Sequence, residues 1–174
     1  MQSGFEELKR LNKFVYAVAT MDTKGVELRY VAECLRAAGV DVRMVDVGTG
    51  GPPATGPDVT RDEVRGSDGK VAYESRAAAV AAMGESLKAY LLDKSEAGQV
   101  AGVIGIGGSG GTALITPAMR TLAIGLPKVM VSTVASGNTA PYVDCSDITM
   151  MYSVVDVAGL NVVSRQVLGN AAHA

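Results

Sequence analysis

The chain has 174 residues, 48% apolar and 20% charged, which suits a single ordinary domain with a buried core and excludes a disordered polar chain. With 16 basic and 18 acidic residues it carries a net charge of −2, and no lysine or arginine block stands out, so a nucleic-acid partner is not expected. Cys34 and Cys145 form no metal-type pair and read as small buried residues of a reducing compartment.

The opening MQSGFEELKR lacks an apolar signal-peptide core, so the expected compartment is the cytoplasm. FVYAVAT, Phe14 to Thr20, is uncharged and rich in β-branched and aromatic residues, which predicts a buried strand. From Val26 to Ala38 apolar Leu28, Val31, Ala32 and Leu35 recur at helical spacing, with Gly39 placed as a C-terminal cap. VDVRMVDVG supplies a second strand ending at Asp46 to Gly48. Residues 48–70 then read as a long loop, glycine- and proline-rich over Gly48 to Asp58.

Val71 to Leu92 predicts a long alanine-rich helix, with Gly84 a mild defect. QVAGVIGIGG reads as a third strand, GTALITPAMRTLAIG as a helix with Pro117 near its first turns, and PKVMVSTVASG as a fourth strand running into another small-residue loop. DITMMYSVVD predicts a short fifth strand and AGLNVVSRQVLGNAAHA a terminal helix. The long uncharged stretch from Ala97 to Met119 is broken by glycines and Pro117, so no membrane span is expected. The alternation predicts a three-layer Rossmann-like α/β fold: a mostly parallel sheet of about five strands with helices on both faces. Ligands then belong at the carboxyl ends of the strands.

Three loops carry the chemistry. In GVIGIGGSGGTALITP a strand turns through small residues into a helix, where unpaired amides and the positive helix end attract anions and glycine lets a ligand approach. Ser109 and Thr112 add hydroxyls. Gly105, Gly107 and Gly110 match G-x-G-x-x-G, yet VMVST, about twenty residues on, offers no acid for a ribose, and no Walker lysine follows the last glycine. The alternative is a tight turn whose glycines serve only packing. In ATMDTKG, Asp22 is a candidate indirect magnesium ligand, Thr23 a helix cap and Lys24 a phosphate partner, against the plainer reading of a cap alone. Asp46 stands where an acid meets ribose hydroxyls in β-α-β nucleotide sites. STVASGNTAPY, Ser132 to Tyr142, is a third small polar loop or an ordinary connection. The lone histidine, His173, is penultimate, which leaves no credible base for a triad and no histidine-ligated metal in the body of the fold.

The motifs VYAVATMDTKGVE, VDVGTGGPP, GVIGIGGSGGTAL, MVSTVASGNTAPYV and SDITMMYSVVDVAGLNVVSR resemble, in order and over most of the chain from Phe14 onward, the N-terminal part of an uncharacterised protein family. Its plant members include the tomato mosaic virus resistance protein of tomato. The resemblance implies an ATP-binding domain of two Rossmann-like halves, with ATP and magnesium as ligands. By resemblance Gly107, Gly108, Ser109, Gly110, Gly111 and Thr112 hold phosphate, and the loops of Asp22, Thr23 and Lys24 and of Ser136, Gly137 and Asn138 complete the pocket. The chain is then a single Rossmann-like domain over 1–174, the N-terminal half of a larger unit. The tomato protein's binding of viral replication proteins is not carried over from one plant relative. Three functions follow as expectations: an ATP-type nucleotide-binding module with a conformational or partner-binding output, an enzyme acting on a small phosphorylated or carboxylated metabolite, or an assembly module that forms a homo-oligomer without ligand.

Overall fold

A computed structural model describes residues 13–66 and 73–174. In chain order these form β1 (Phe14–Ala19), α1 (Met21–Ala37), β2 (Val42–Asp46), α2 (Arg61–Arg65), α3 (Arg76–Glu96), β3 (Val100–Gly107), α4 (Ser109–Arg120), β4 (Lys128–Ser132), a 3₁₀ turn (Thr133–Ser136), α5 (Ala140–Val143), β5 (Thr149–Tyr152) and α6 (Val162–Ala172). The five strands make one sheet in the order β2-β1-β3-β4-β5, every neighbouring pair parallel.

Strand alternation divides the core into two layers. Tyr16, Val18, Val103 and Met130 meet Met83, Leu87 and Leu91 of α3 and Leu114, Ile115 and Met119 of α4. On the opposite face Ala17, Ala19, Ile104, Ile106 and Val131 meet Leu28, Val31 and Leu35 of α1 and Leu168 and Ala171 of α6. Both faces are covered, which is why the strands read as continuous apolar runs rather than alternating ones. This is the three-layer Rossmann-like arrangement that the element order implied.

Several boundaries shift, each for a specific physical reason. α1 begins at Met21 rather than Val26, because the buried Asp46 carboxylate at the end of the neighbouring strand β2 accepts the Met21 amide at 3.0 Å and caps the helix. Its first turn is irregular at Lys24 (φ −124°, ψ 15°). The long helix α3 starts at Arg76, where Ser75 accepts the Ala78 amide; the expected start at Val71 lies outside the described residues. β4 ends at Ser132, where the strand was expected to run into its small-residue loop, and the Ser132 hydroxyl accepts the Val134 amide and turns the chain into the 3₁₀ segment.

The segment 48–70, expected to be loop, contains α2 over Arg61–Arg65, started by a reciprocal capping box between Thr60 and Glu63; residues 67–70 of that segment lie outside the described set. Just before α2, Val59 bridges Val45 in parallel and covers the outer edge of β2. The expectation that both cysteines are buried is corrected: Cys34 is half-buried on α1, and Cys145 is exposed because it lies in the surface turn after α5. Among the described residues no helix is long and apolar enough to cross a membrane.

Candidate functional site

The sheet changes direction between its middle strands: β1 leads outward to β2, whereas β3 leads the other way to β4 and β5. In open parallel sheets such a switch point opens a crevice at the strands' carboxyl ends. The turn of β1 into α1 and the turn of β3 into α4 face each other across it. The sequence places ATMDTKG and GGSGGT there.

After β3 the chain has one residue, Gly108, before α4 begins. Gly107 is needed for packing, because a Cβ on it would lie 2.9 Å from the Gly111 Cα and 3.1 Å from the Thr112 nitrogen. Gly105 is similar, a Cβ there meeting Met130 Sδ at 2.6 Å. The packing role of these glycines is therefore present in the fold. Gly110 differs: it is exposed, and a Cβ on it would meet nothing within 4 Å.

The first-turn amides of α4 differ in their partners. The Thr112 amide donates to the Gly108 carbonyl at 2.9 Å, whereas those of Ser109, Gly110 and Gly111 donate to no protein acceptor among the described residues. Ser109 and Gly110 are exposed, so solute can reach that turn, and the helix dipole adds positive potential. The Thr112 hydroxyl points elsewhere. It is buried, donates to the Gly108 carbonyl at 2.8 Å, and lies 2.6 Å from the Ser132 hydroxyl. Thr112 thus shapes the turn from within, and its side chain is not free for a ligand.

The β4 loop adjoins this turn, a Cβ at Gly108 lying 3.7 Å from Thr133 Oγ1. Ser136, Gly137 and Asn138 are exposed at its tip. There the Gly137 amide donates to the Val134 carbonyl and Asn138 Oδ1 accepts the Ala140 amide, so the tip is held by bonds within the loop.

On the β1 side, Thr23 bonds back to Thr20, and the Lys24 ammonium donates to the Val157 carbonyl in the β5–α6 loop. Lys24 therefore braces that loop. Asp22 Oδ2 accepts the Gly50 amide at 3.1 Å, while its Oδ1 is buried without a hydrogen-bond partner among the described residues. A magnesium ion carried by nucleotide phosphates commonly takes only one or two protein carboxylates, so this orphaned oxygen fits the ion. No cluster of three or more potential metal ligands occurs among the described residues.

Asp46 is 1% exposed, and its carboxylate is committed. Oδ1 accepts the amides of Met21 and Gly48 at 3.0 and 2.8 Å, and Oδ2 meets Arg61 Nε at 2.8 Å and Nη2 at 2.7 Å. The Asp22, Asp46 and Arg61 side chains converge on Gly48, where a Cβ would lie within 3.0 Å of all three. Beside them a cavity of about 400 Å³ is lined by Gly50, Pro52, Thr60, Arg61 and Asp62 among others. Arg61 was not singled out in the sequence. The T-x-x-E pattern of Thr60 and Glu63 was the available signal, since it starts a helix with Arg61 as its first residue. The same capping bonds from the Thr60 amide and hydroxyl hold the Glu63 carboxyl below its ordinary range.

Residues 13–174 match the N-terminal domain of an uncharacterised protein family, UPF0261. A UPF0261 protein of Rhizobium meliloti is 50% identical over 167 residues, covering 93% of this chain and 41% of the relative. A UPF0261 protein of Clostridium tetani is 39% identical over 169 residues, with 94% and 42% covered. The ToMV resistance protein Tm-1(GCR237) of Solanum lycopersicum is 38% identical over 180 residues, with 92% and 24% covered. The chain thus spans about two fifths of the bacterial relatives' length and about a quarter of the tomato protein's. On this match, which takes in every strand and helix described above, the chain belongs to the UPF0261 family through that family's N-terminal domain.

Proposed function

We propose that the chain is the phosphate-binding half of an ATP-type nucleotide site, whose output is a conformational or partner-binding change. One observation carries the reading: the amides of Ser109, Gly110 and Gly111, which have no protein acceptor among the described residues, open the helix that follows β3 at the switch point of the sheet. Phosphate oxygens accept from these amides, Ser109 adds a hydroxyl, and Asp22 Oδ1 offers a place for the magnesium that accompanies the phosphates. Ser136, Gly137 and Asn138 border the site from β4.

Titration calorimetry with ATP and magnesium is the test. Heat of binding from the wild-type chain, lost in Ser109→Asp and Gly110→Val, supports the reading. The aspartate places like charge against phosphate, and the valine fills space that is open in the folded protein. Neither change is buried, so both variants retain the wild-type unfolding midpoint. Absence of binding by the wild-type chain and by a relative of full length alike ends the proposal.

A second reading has its own support. The cavity beside Arg61 and Asp62 has the size of a small-metabolite site, and an enzyme acting on a phosphorylated or carboxylated metabolite would use it. Turnover in a substrate panel, abolished by Arg61→Ala and unaffected by Gly110→Val, would favour it.

A further inference from the structure

One row of the sheet runs through three loops at its carboxyl end. Gly107 of β3 stands opposite Ser132 of β4, and Ser132 stands opposite Tyr152 of β5. Residues in register share a sheet face. The face is fixed by Ser132, whose hydroxyl meets Thr112 of α4, and by Met150, which packs with the α3–α4 core two residues before Tyr152. Tyr152 thus belongs to the face on which α4 packs. Unlike Met150 it is largely open to solvent, at 43% exposure.

Strand spacing puts the Tyr152 backbone two strands, or about 10 Å, from Gly107. That is the reach of one mononucleotide, in which a sugar separates base from phosphate. In doubly wound sheets the nucleotide runs from the glycine turn across the end of the strand that follows it. Here that strand is β4, ending in Ser132 and Thr133, and the next position along the path is Tyr152. An aromatic face accepts any base by stacking.

We propose that Tyr152 is the residue on which the base of the bound nucleotide stacks. This rests on the phosphate-site reading above, and it makes the ligand a nucleotide rather than a simple phosphorylated metabolite.

The experiment titrates MgATP into the wild-type chain, Tyr152→Phe, Tyr152→Leu and Ser109→Asp, with the unfolding midpoint of each variant measured alongside. The leucine keeps apolar bulk in the edge strand but has no π face, so it is the informative change. The expected result is a wild-type affinity for Tyr152→Phe and a loss of about 10- to 100-fold for Tyr152→Leu, with midpoints unchanged. Equal affinity in wild type and Tyr152→Leu, or equal losses in the phenylalanine and leucine variants, overturns the stacking role. The phosphate reading then stands on its own if Ser109→Asp still abolishes binding. Failure of the wild-type chain to bind MgATP overturns the stacking role, and failure of a full-length relative as well ends the phosphate reading.

Discussion

The hydroxyls of Thr112 and Ser132 lie 2.6 Å apart in the interior and tie the first turn of α4 to the end of β4. Thr112 spends its proton on the Gly108 carbonyl, so Ser132 is the donor between them, and Ser132 in turn accepts the Val134 amide. Thr112→Val or Ser132→Ala leaves a buried polar partner unmatched, and each is expected to cost about 1–3 kcal/mol. The double variant should cost less than the two single losses added together. Urea unfolding of all four proteins measures that coupling.

Gly107 and Gly110 sit in one glycine-rich turn yet predict opposite outcomes. Gly107→Ala drives a Cβ into the Gly111 backbone at 2.9 Å, which no side-chain rotation relieves, and should destabilise by about 1–3 kcal/mol. Gly110→Ala enters open space within a helix and should leave stability unchanged or raise it by up to about 1 kcal/mol. Thermal or denaturant unfolding separates the two. Equal losses would mean that the turn is packed differently.

Asp46 ends β2 where ribose-binding acids stand in related folds, but both its oxygens are occupied by Met21, Gly48 and Arg61. Asp46→Ala is therefore expected to cost stability, about 3–5 kcal/mol for breaking a buried ion pair. The wild type should in turn bind ATP and 2′-deoxy-ATP alike. A strong preference for the ribonucleotide that disappears in Asp46→Asn would return the residue to the ligand.

Lys128 is buried in β4, and its ammonium donates to the carbonyls of Ala123 and Leu126 and pairs with Asp147 at 2.7 Å. That ammonium, together with the Gly125 amide, holds the Asp147 carboxyl below the usual carboxylate range. A carboxyl depressed in the folded state stabilises fully above its unfolded value, about 3.9, and loses that contribution as pH falls through the folded value. The stability difference between wild type and Asp147→Asn should thus be constant near neutrality and shrink as the pH drops below about 4. Denaturant midpoints across that range check it.

The sequence patterns located the strands because burial on both faces leaves an unmistakable apolar run, as in Phe14–Ala19 and Val100–Gly107. They located the glycine turn for the same reason, since it is bounded by a run on one side and a helical period on the other. Boundaries set by distant partners were illegible. The start of α1 depends on Asp46, twenty-five residues away in the chain, and no local pattern at Met21 records that bond. Local spacing around Lys24 likewise carries nothing about Val157, the carbonyl its ammonium meets. Tyr152 looked like one more strand residue, since only the register across β3, β4 and β5 places it in line with the glycine turn.

The central position of β1 also constrains how the chain folds. β1 pairs with β2 locally, but its other edge is completed only when Phe14 meets Val100. A nascent chain ending short of β3 therefore carries an unsatisfied parallel edge through the synthesis of α2 and α3. Loop-closure entropy delays that pairing, so the slow step of folding should be the docking of β3 beside β1, after which β4 and β5 add in sequence order.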